Sequence, residues 1–159
     1  MKISPEKLDE LIKIVHLAGI EIIKIYKKKV TKKYKSDNTP VTNADIRANN
    51  IICKGLKLHF PEVSIVSEEQ VKKGKAAKKF WLVDPLDGTK EFLKGNGEFT
   101  VNIGLIENKK PVFGIIYMPT KNKLYFTKDK KSYFAKLSKK GLLTNIRKIK
   151  VKKRNKNIV

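Results

Sequence analysis

Leu8, Leu11, Ile12, Val15, Ala18, Gly19, Ile22, Ile23 and Tyr26 recur at steps of three and four, the spacing that lays apolar side chains along one face of a helix. Ser4 stands before them as an N-cap, Pro5 at the first helical position and Glu6 in the first turn. The pattern predicts one long amphipathic helix ending near Lys28. After a polar connection containing Asp37-Asn38-Thr39-Pro40, Thr42 followed three residues later by Asp45 resembles a capping box, opening a second helix to about Leu58. The period then shortens. Val63-Ser64-Ile65-Val66 and Trp81-Leu82-Val83 read as short strands, residues 89–94 as a short helix ended by Gly95, and residues 98–106, 112–118, 124–127 and 132–135 as further strands. Glu107-Asn108-Lys109-Lys110 makes a hairpin-like connection between two of them. Two helices followed by mostly consecutive strands indicate an α+β fold, the helices packed on a largely antiparallel sheet.

Chemistry concentrates where the strand Trp81-Leu82-Val83 runs into Asp84-Pro85-Leu86-Asp87-Gly88-Thr89. Pro85 removes a backbone donor and fixes φ, which is expected to stop the strand and leave Asp84 at its end. Two carboxylates with a carbonyl between them suit Mg²⁺, a hard cation that prefers oxygen ligands and keeps several waters. Gly88 and Thr89 open a helix whose first N–H groups are unpaired and can receive a phosphate. An Asp-rich turn capped by Thr accounts for the same residues without any ligand. A second acidic element favours the metal reading: Ser67-Glu68-Glu69 ends another apparent strand.

Composition sets the frame. A chain of 159 residues, 40% hydrophobic, has room for one domain with a real core. No run reaches the ~18 apolar residues of a membrane span, and Met1-Lys2-Ile3-Ser4-Pro5 lacks a signal-peptide core, so a cytoplasmic location is expected. The single cysteine, Cys53, has apolar helical neighbours and reads as a buried, inert thiol. His16 reads as solvated or structural and His59 as a partner for a helix C-terminus. The formal charge of +22 is uneven: residues 1–120 hold 22 basic and 14 acidic residues, and residues 121–159 hold 15 basic and one acidic. Lys greatly outnumbers Arg and no aromatic platform interleaves with the tail, which favours compositional drift over selected polyanion binding. A weak contact of that tail with nucleic acid or with the inner face of an anionic membrane is the alternative.

Val41-Thr42-Asn43-Ala44-Asp45, Ser67-Glu68-Glu69 and Asp84-Pro85-Leu86-Asp87-Gly88-Thr89, in that order and spacing, resemble the Mg²⁺-dependent, lithium-sensitive phosphatases of the inositol monophosphatase superfamily. Lys90-Glu91-Phe92 and residues 96–103, Asn-Gly-Glu-Phe-Thr-Val-Asn-Ile, are similar to its CysQ-type 3′(2′),5′-bisphosphate nucleotidases. The resemblance implies hydrolysis of 3′-phosphoadenosine 5′-phosphate to AMP, clearing a by-product of sulfate assimilation. It implies Mg²⁺ held by Glu68, Asp84, the Leu86 carbonyl and Asp87. It assigns catalysis to Glu68 and to Thr89, oriented by Asp45, and substrate contacts to Glu68, Leu86, Asp87, Gly88 and Thr89. The family's Trp-Asp-x-x-Ala-Gly motif does not occur in the sequence. The expectation is therefore a catalytic N-terminal domain over residues 1–148, a basic tail over 149–159, no second domain, and a separate C-terminal fragment as a possible partner. Rival readings are an inositol monophosphatase-type sugar phosphatase, a non-catalytic remnant and a basic polyanion-binding module.

Overall fold

The computed structural model describes residues 3–28, 32–34, 40–70 and 77–151. Helix α1 spans Pro5–Tyr26. Its cap is the Ser4 side chain, which accepts the Lys7 backbone N–H at 3.3 Å. Two three-residue strands, β1 (Lys32–Tyr34) and β2 (Pro40–Thr42), form a small antiparallel pair that the sequence pattern did not reveal. Helix α2 (Asn43–His59) follows directly and opens on the expected capping box: Thr42 caps the first turn while the Asp45 carboxylate reaches back to the Thr42 N–H. The expected connection at Asp37-Asn38-Thr39 lies outside the described residues.

Strands β3 (Ser64–Ser67), β4 (Lys79–Asp87), β5 (Thr100–Glu107), β6 (Lys110–Met118), β7 (Lys123–Lys128), β8 (Lys131–Leu137) and β9 (Leu143–Ile149) form one sheet in sequential order. Only β3 and β4 run parallel; every other neighbour pair is antiparallel. The short helix α3 (Thr89–Lys94) sits between β4 and β5. The β5–β6 connection is a two-residue turn in which Asn108 (φ 50°) and Lys109 (φ 63°) are both left-handed, the geometry that matches the twist of a hairpin.

The sheet has two unlike faces because strand side chains alternate. Trp81, Val83, Val101, Ile103, Leu105, Phe113, Ile115, Tyr117, Leu124 and Phe126 are buried with the apolar stripes of α1 and α2 in a single core. Helix α2 packs against β4, and α1 against β5 and β6. Trp81 sits at its centre, edge-on to Phe60 at 5.0 Å and to Phe113 at 6.2 Å. On the other face Leu82, Ile116 and Tyr125 are exposed.

Two expectations change. Pro85 does not end its strand: β4 continues to Asp87, and a register shift between Asp84 and Asp87 accommodates the missing N–H. Residues 143–149 form a ninth strand, so Ile149 belongs to the sheet and not to a tail; residues 152–159 lie outside the described residues. Strand β9 escaped notice because it lies at the sheet edge, largely exposed on both faces, and shows no apolar alternation. His16, read as solvated or structural, is buried with its ring edge-on to Tyr117 at 6.2 Å, in line with the structural alternative.

Candidate active site

Three elements converge at the end of β4. Ser67 is buried at the end of β3, where its hydroxyl donates to Asn49 Oδ1 on α2 at 2.6 Å. Ser67 Oγ also accepts the Glu69 N–H at 3.4 Å, and the Glu68 N–H donates to the Val83 carbonyl at 3.0 Å. These contacts fix the turn that carries Glu68 beside β4. Asn49 takes a second donor, the Cys53 thiol at 3.3 Å, and burial pushes that thiol's pKa up. Cys53 is thus a buried, protonated thiol, as its apolar neighbours predicted.

In a regular strand Asp84 and Asp87, three residues apart, would point to opposite faces. Asp84 pairs with Asn102 and Asp87 with Thr100, so three steps on β4 match two on β5. The extra residue is a bulge that restores the parity. Both acids then share Asn102: Asp84 lies opposite it in the ladder, and Asp87 Oδ2 accepts its Nδ2–H at 3.1 Å. Leu86, 2% exposed, anchors the bulge in the core and leaves its carbonyl for Thr89.

Electrostatics mark Asp84 as the hub. Burial raises its carboxyl pKa to about 7, helped by the negative charges of Glu68 and Asp87 and by a hydrogen bond shared with Glu68. Its Oδ1 is buried without a hydrogen-bond partner. Glu68 and Asp87 both reach the open side, where they are exposed. Among the described residues no three His, Cys, Asp or Glu side chains are already grouped as a set of metal ligands. What the site offers is Asp84 with two further acids near enough to act on its charge, all oxygen donors, and one orphaned buried carboxylate oxygen. Mg²⁺, which keeps several of its waters, fits such an open set better than a tight cage.

Thr89 begins α3. Its Oγ1 lies 3.1 Å from Asp45 Oδ1 and 3.2 Å from the Leu86 carbonyl, and its single proton can serve only one of them at a time. Asp45, 2% exposed, also accepts the Thr42 N–H at 2.8 Å and the Thr42 hydroxyl at 2.5 Å, both at Oδ2. Its carboxyl pKa is raised by burial, against the lowering effect of these donors. Asp45 therefore does two jobs, capping α2 and bonding Thr89. Gly88, at φ 93°, precedes Thr89 where a Cβ would stand 2.7 Å from the Glu98 carbonyl oxygen. Only glycine has both the left-handed freedom and the clearance this corner needs.

Of the residues named from the sequence, Glu68 and Asp87 lie near enough to act on the charge of Asp84, Asp45 and the Leu86 carbonyl both lie within hydrogen-bond reach of Thr89, and Gly88 forms the corner before it. Sequence reasoning missed Asn102 and Asn49. Neither carries charge, and each acquires its place only in the fold, where strand pairing sets Asn102 against Asp84 and Asp87 and helix packing sets Asn49 against Ser67.

The inositol monophosphatase family model matches residues 5–158. The chain is 50% identical over 123 residues to the 3′(2′),5′-bisphosphate nucleotidase CysQ of Buchnera aphidicola subsp. Acyrthosiphon pisum (strain APS), covering 74% of this chain and 46% of that protein. It is 43% identical over 131 residues to the same-named protein of Escherichia coli (strain K12), covering 79% and 53%. The crystal structure of CysQ from Bacteroides thetaiotaomicron superposes with a TM-score of 0.63 at 37% identity, over 84% of this chain and 52% of that one. The chain spans about half the length of these relatives.

Proposed function

We propose, from the premise that this chain belongs to the inositol monophosphatase family, that its site hydrolyses the 3′-phosphate of 3′-phosphoadenosine 5′-phosphate, leaving AMP. The observation that carries the reading is Asp84, a carboxyl flanked by two more acids with one buried oxygen unpartnered. Like charges crowded together are costly unless a proton or a cation relieves them, and an open set of oxygen donors suits a hydrated cation. The names of the two CysQ relatives support the substrate class.

Glu68, Asp84, Asp87 and the Leu86 carbonyl would hold Mg²⁺. When bound, the ion supplies Lewis acidity toward a phosphoryl group and neutralises charge developing on its oxygens. The chain's own residues do the rest. With the Thr89 proton turned to Asp45 Oδ1, the Leu86 carbonyl is released from its hydrogen bond and the Thr89 lone pairs face outward, ready to orient a water for attack. Burial raises the pKa of Asp45, which makes it a better resting place for a proton than an exposed acid. The Gly88 and Thr89 amides would hold phosphate oxygens as charge develops. Residues 1–148 form the catalytic part in this reading, and a cytoplasmic location goes with the substrate. Among the described residues no helix is long and apolar enough to cross a membrane.

Phosphate release from 3′-phosphoadenosine 5′-phosphate, inositol monophosphate and fructose 1,6-bisphosphate, with Mg²⁺ and with EDTA, tests it. Because the chain spans about half of its relatives' length, the assay is run alone and with the complementary half of the E. coli relative added. Mg²⁺-dependent release from the nucleotide is expected, stronger with the added half. A preference for inositol monophosphate would move the chain to the sugar-phosphatase reading. Silence in every mixture, with Mg²⁺ bound, would overturn catalysis in favour of a non-catalytic remnant.

A further inference from the structure

The carboxylates do not complete this site, because one neutral side chain stands between them. Asn102 projects from β5 directly opposite Asp84 in the ladder. Its Nδ2 donates to Asp87 Oδ2 at 3.1 Å. Its Oδ1 is buried and has no hydrogen-bond partner, as is also true of Asp84 Oδ1. The amide orientation follows from this bond, since the reverse flip would set two acceptors against each other.

These contacts have opposite signs for stability. The Nδ2–Asp87 bond is charge-assisted and favourable, but it reaches a carboxylate open to water, where the net gain is small. The buried, unsatisfied Oδ1 carries a desolvation cost with nothing on the protein to offset it. A leucine has nearly the same shape and no polar atom to leave unpaired. The fold alone therefore gives no reason to keep an amide here.

We propose that Asn102 is a positioning residue for the cation site. Its amide holds Asp87 Oδ2 in place, and its buried carbonyl oxygen, on the residue paired with Asp84, would accept a hydrogen bond from a water of the bound cation. The inference rests on the Mg²⁺ reading above and adds a residue to it. Side chains that orient metal-binding carboxylates typically change affinity 10–100-fold when removed.

The test is Mg²⁺ binding by calorimetry on the full chain, comparing the parent with Asn102→Leu and Asn102→Ala, together with melting temperatures in EDTA. The expected result is a dissociation constant raised about tenfold in both variants, with the melting temperature of Asn102→Leu in EDTA equal to or above the parent's. The Ala variant keeps the test valid if the Leu variant does not fold. Parent-like Mg²⁺ affinity in a folded variant would overturn the role of Asn102 while leaving the cation site intact. Absence of Mg²⁺ binding by the parent would instead overturn the cation reading itself, and the inference with it.

Discussion

Asp84 ties pH to stability in a way an ordinary aspartate does not. Its carboxyl titrates near 3.8 when unperturbed and at about 7 in the fold, raised first by burial and then by Glu68 and Asp87. Between those values the folded chain holds a proton that the unfolded chain has lost, so stability falls as pH rises. The contribution is fully present below about 4 and gone once the pH has passed about 7. The expected outcome is that Asp84→Asn, measured by urea unfolding in EDTA, matches the parent near pH 4.5 and exceeds it at pH 8; a difference that is flat across this range would show that neither burial nor the neighbouring acids raise the Asp84 carboxyl in the fold. Mg²⁺ added at pH 8 should raise the parent's stability more than the variant's. Residue types were the most legible part of this site. Asp84, Asp87 and Thr89 announced themselves by charge and spacing, and Glu68 by ending a second strand. Asn102 did not, because a single amide in the apolar strand Val101-Asn102-Ile103 has no signature until pairing sets it opposite Asp84. The burial of His16 was hidden for a like reason, since it comes from Tyr117 and from the Gly141 turn, more than a hundred residues away.

At the scale of elements, the site depends on a strand that bulges and a corner that turns. Pro85 correctly signalled an interruption of the ladder but not its form, because the same missing N–H is compatible with a strand end or a bulge. Pairing with β5 on one side and the burial of Leu86 decided for the bulge. The corner after it is equally specific. Gly88→Ala places a methyl group 2.7 Å from the Glu98 carbonyl and forces a left-handed φ on alanine, so it should lower stability by about 2 kcal/mol or more in urea unfolding. A loss below about 0.5 kcal/mol would mean the corner relaxes freely. Helix α2 reaches the site through its cap. Asp45→Ala leaves the Thr42 N–H and hydroxyl without their buried acceptor and frees Thr89 from one of its two. A loss of about 1–3 kcal/mol is expected, with weaker hydrolysis beyond what stability explains at a temperature where both proteins are folded. Asp45→Glu should not rescue it, since the longer chain displaces the carboxylate from both threonines. The capping box was legible from Thr42 and Asp45 alone; the link to Thr89 came through the resemblance, and the fold places the two 3.1 Å apart.

For the molecule as a whole, the α+β order was legible because helix and strand periods occupy separate stretches of the chain, while the sheet's extent was not. Strand β9 joins by pairing with β8 and buries little, so nothing in its own composition marks it. Charge acts at this scale too. The chain carries 37 basic and 15 acidic residues, a formal +22. Some acids are spoken for locally: Glu21 lies 2.9 Å from Arg47 and 3.3 Å from Lys24, and Glu10 lies 2.8 Å from Lys13. These are exposed surface pairs, which contribute little. Repulsion among the surplus lysines acts over longer distances and opposes the compact state. A Debye length of about 30 Å at 0.01 M shrinks to about 8 Å at 0.15 M, which removes most of that repulsion while sparing contacts under 4 Å. The melting temperature in EDTA should therefore rise as sodium chloride increases from about 0.01 to 0.15 M, a range defined by that change in screening. A fall would mean that ion pairs outweigh the net charge. Repeating the series with Lys148→Glu and Lys150→Glu, which lower the net charge by four at exposed positions on or next to the edge strand, should shrink the salt dependence. If the slope were unchanged, specific anion binding and not general screening would be its source.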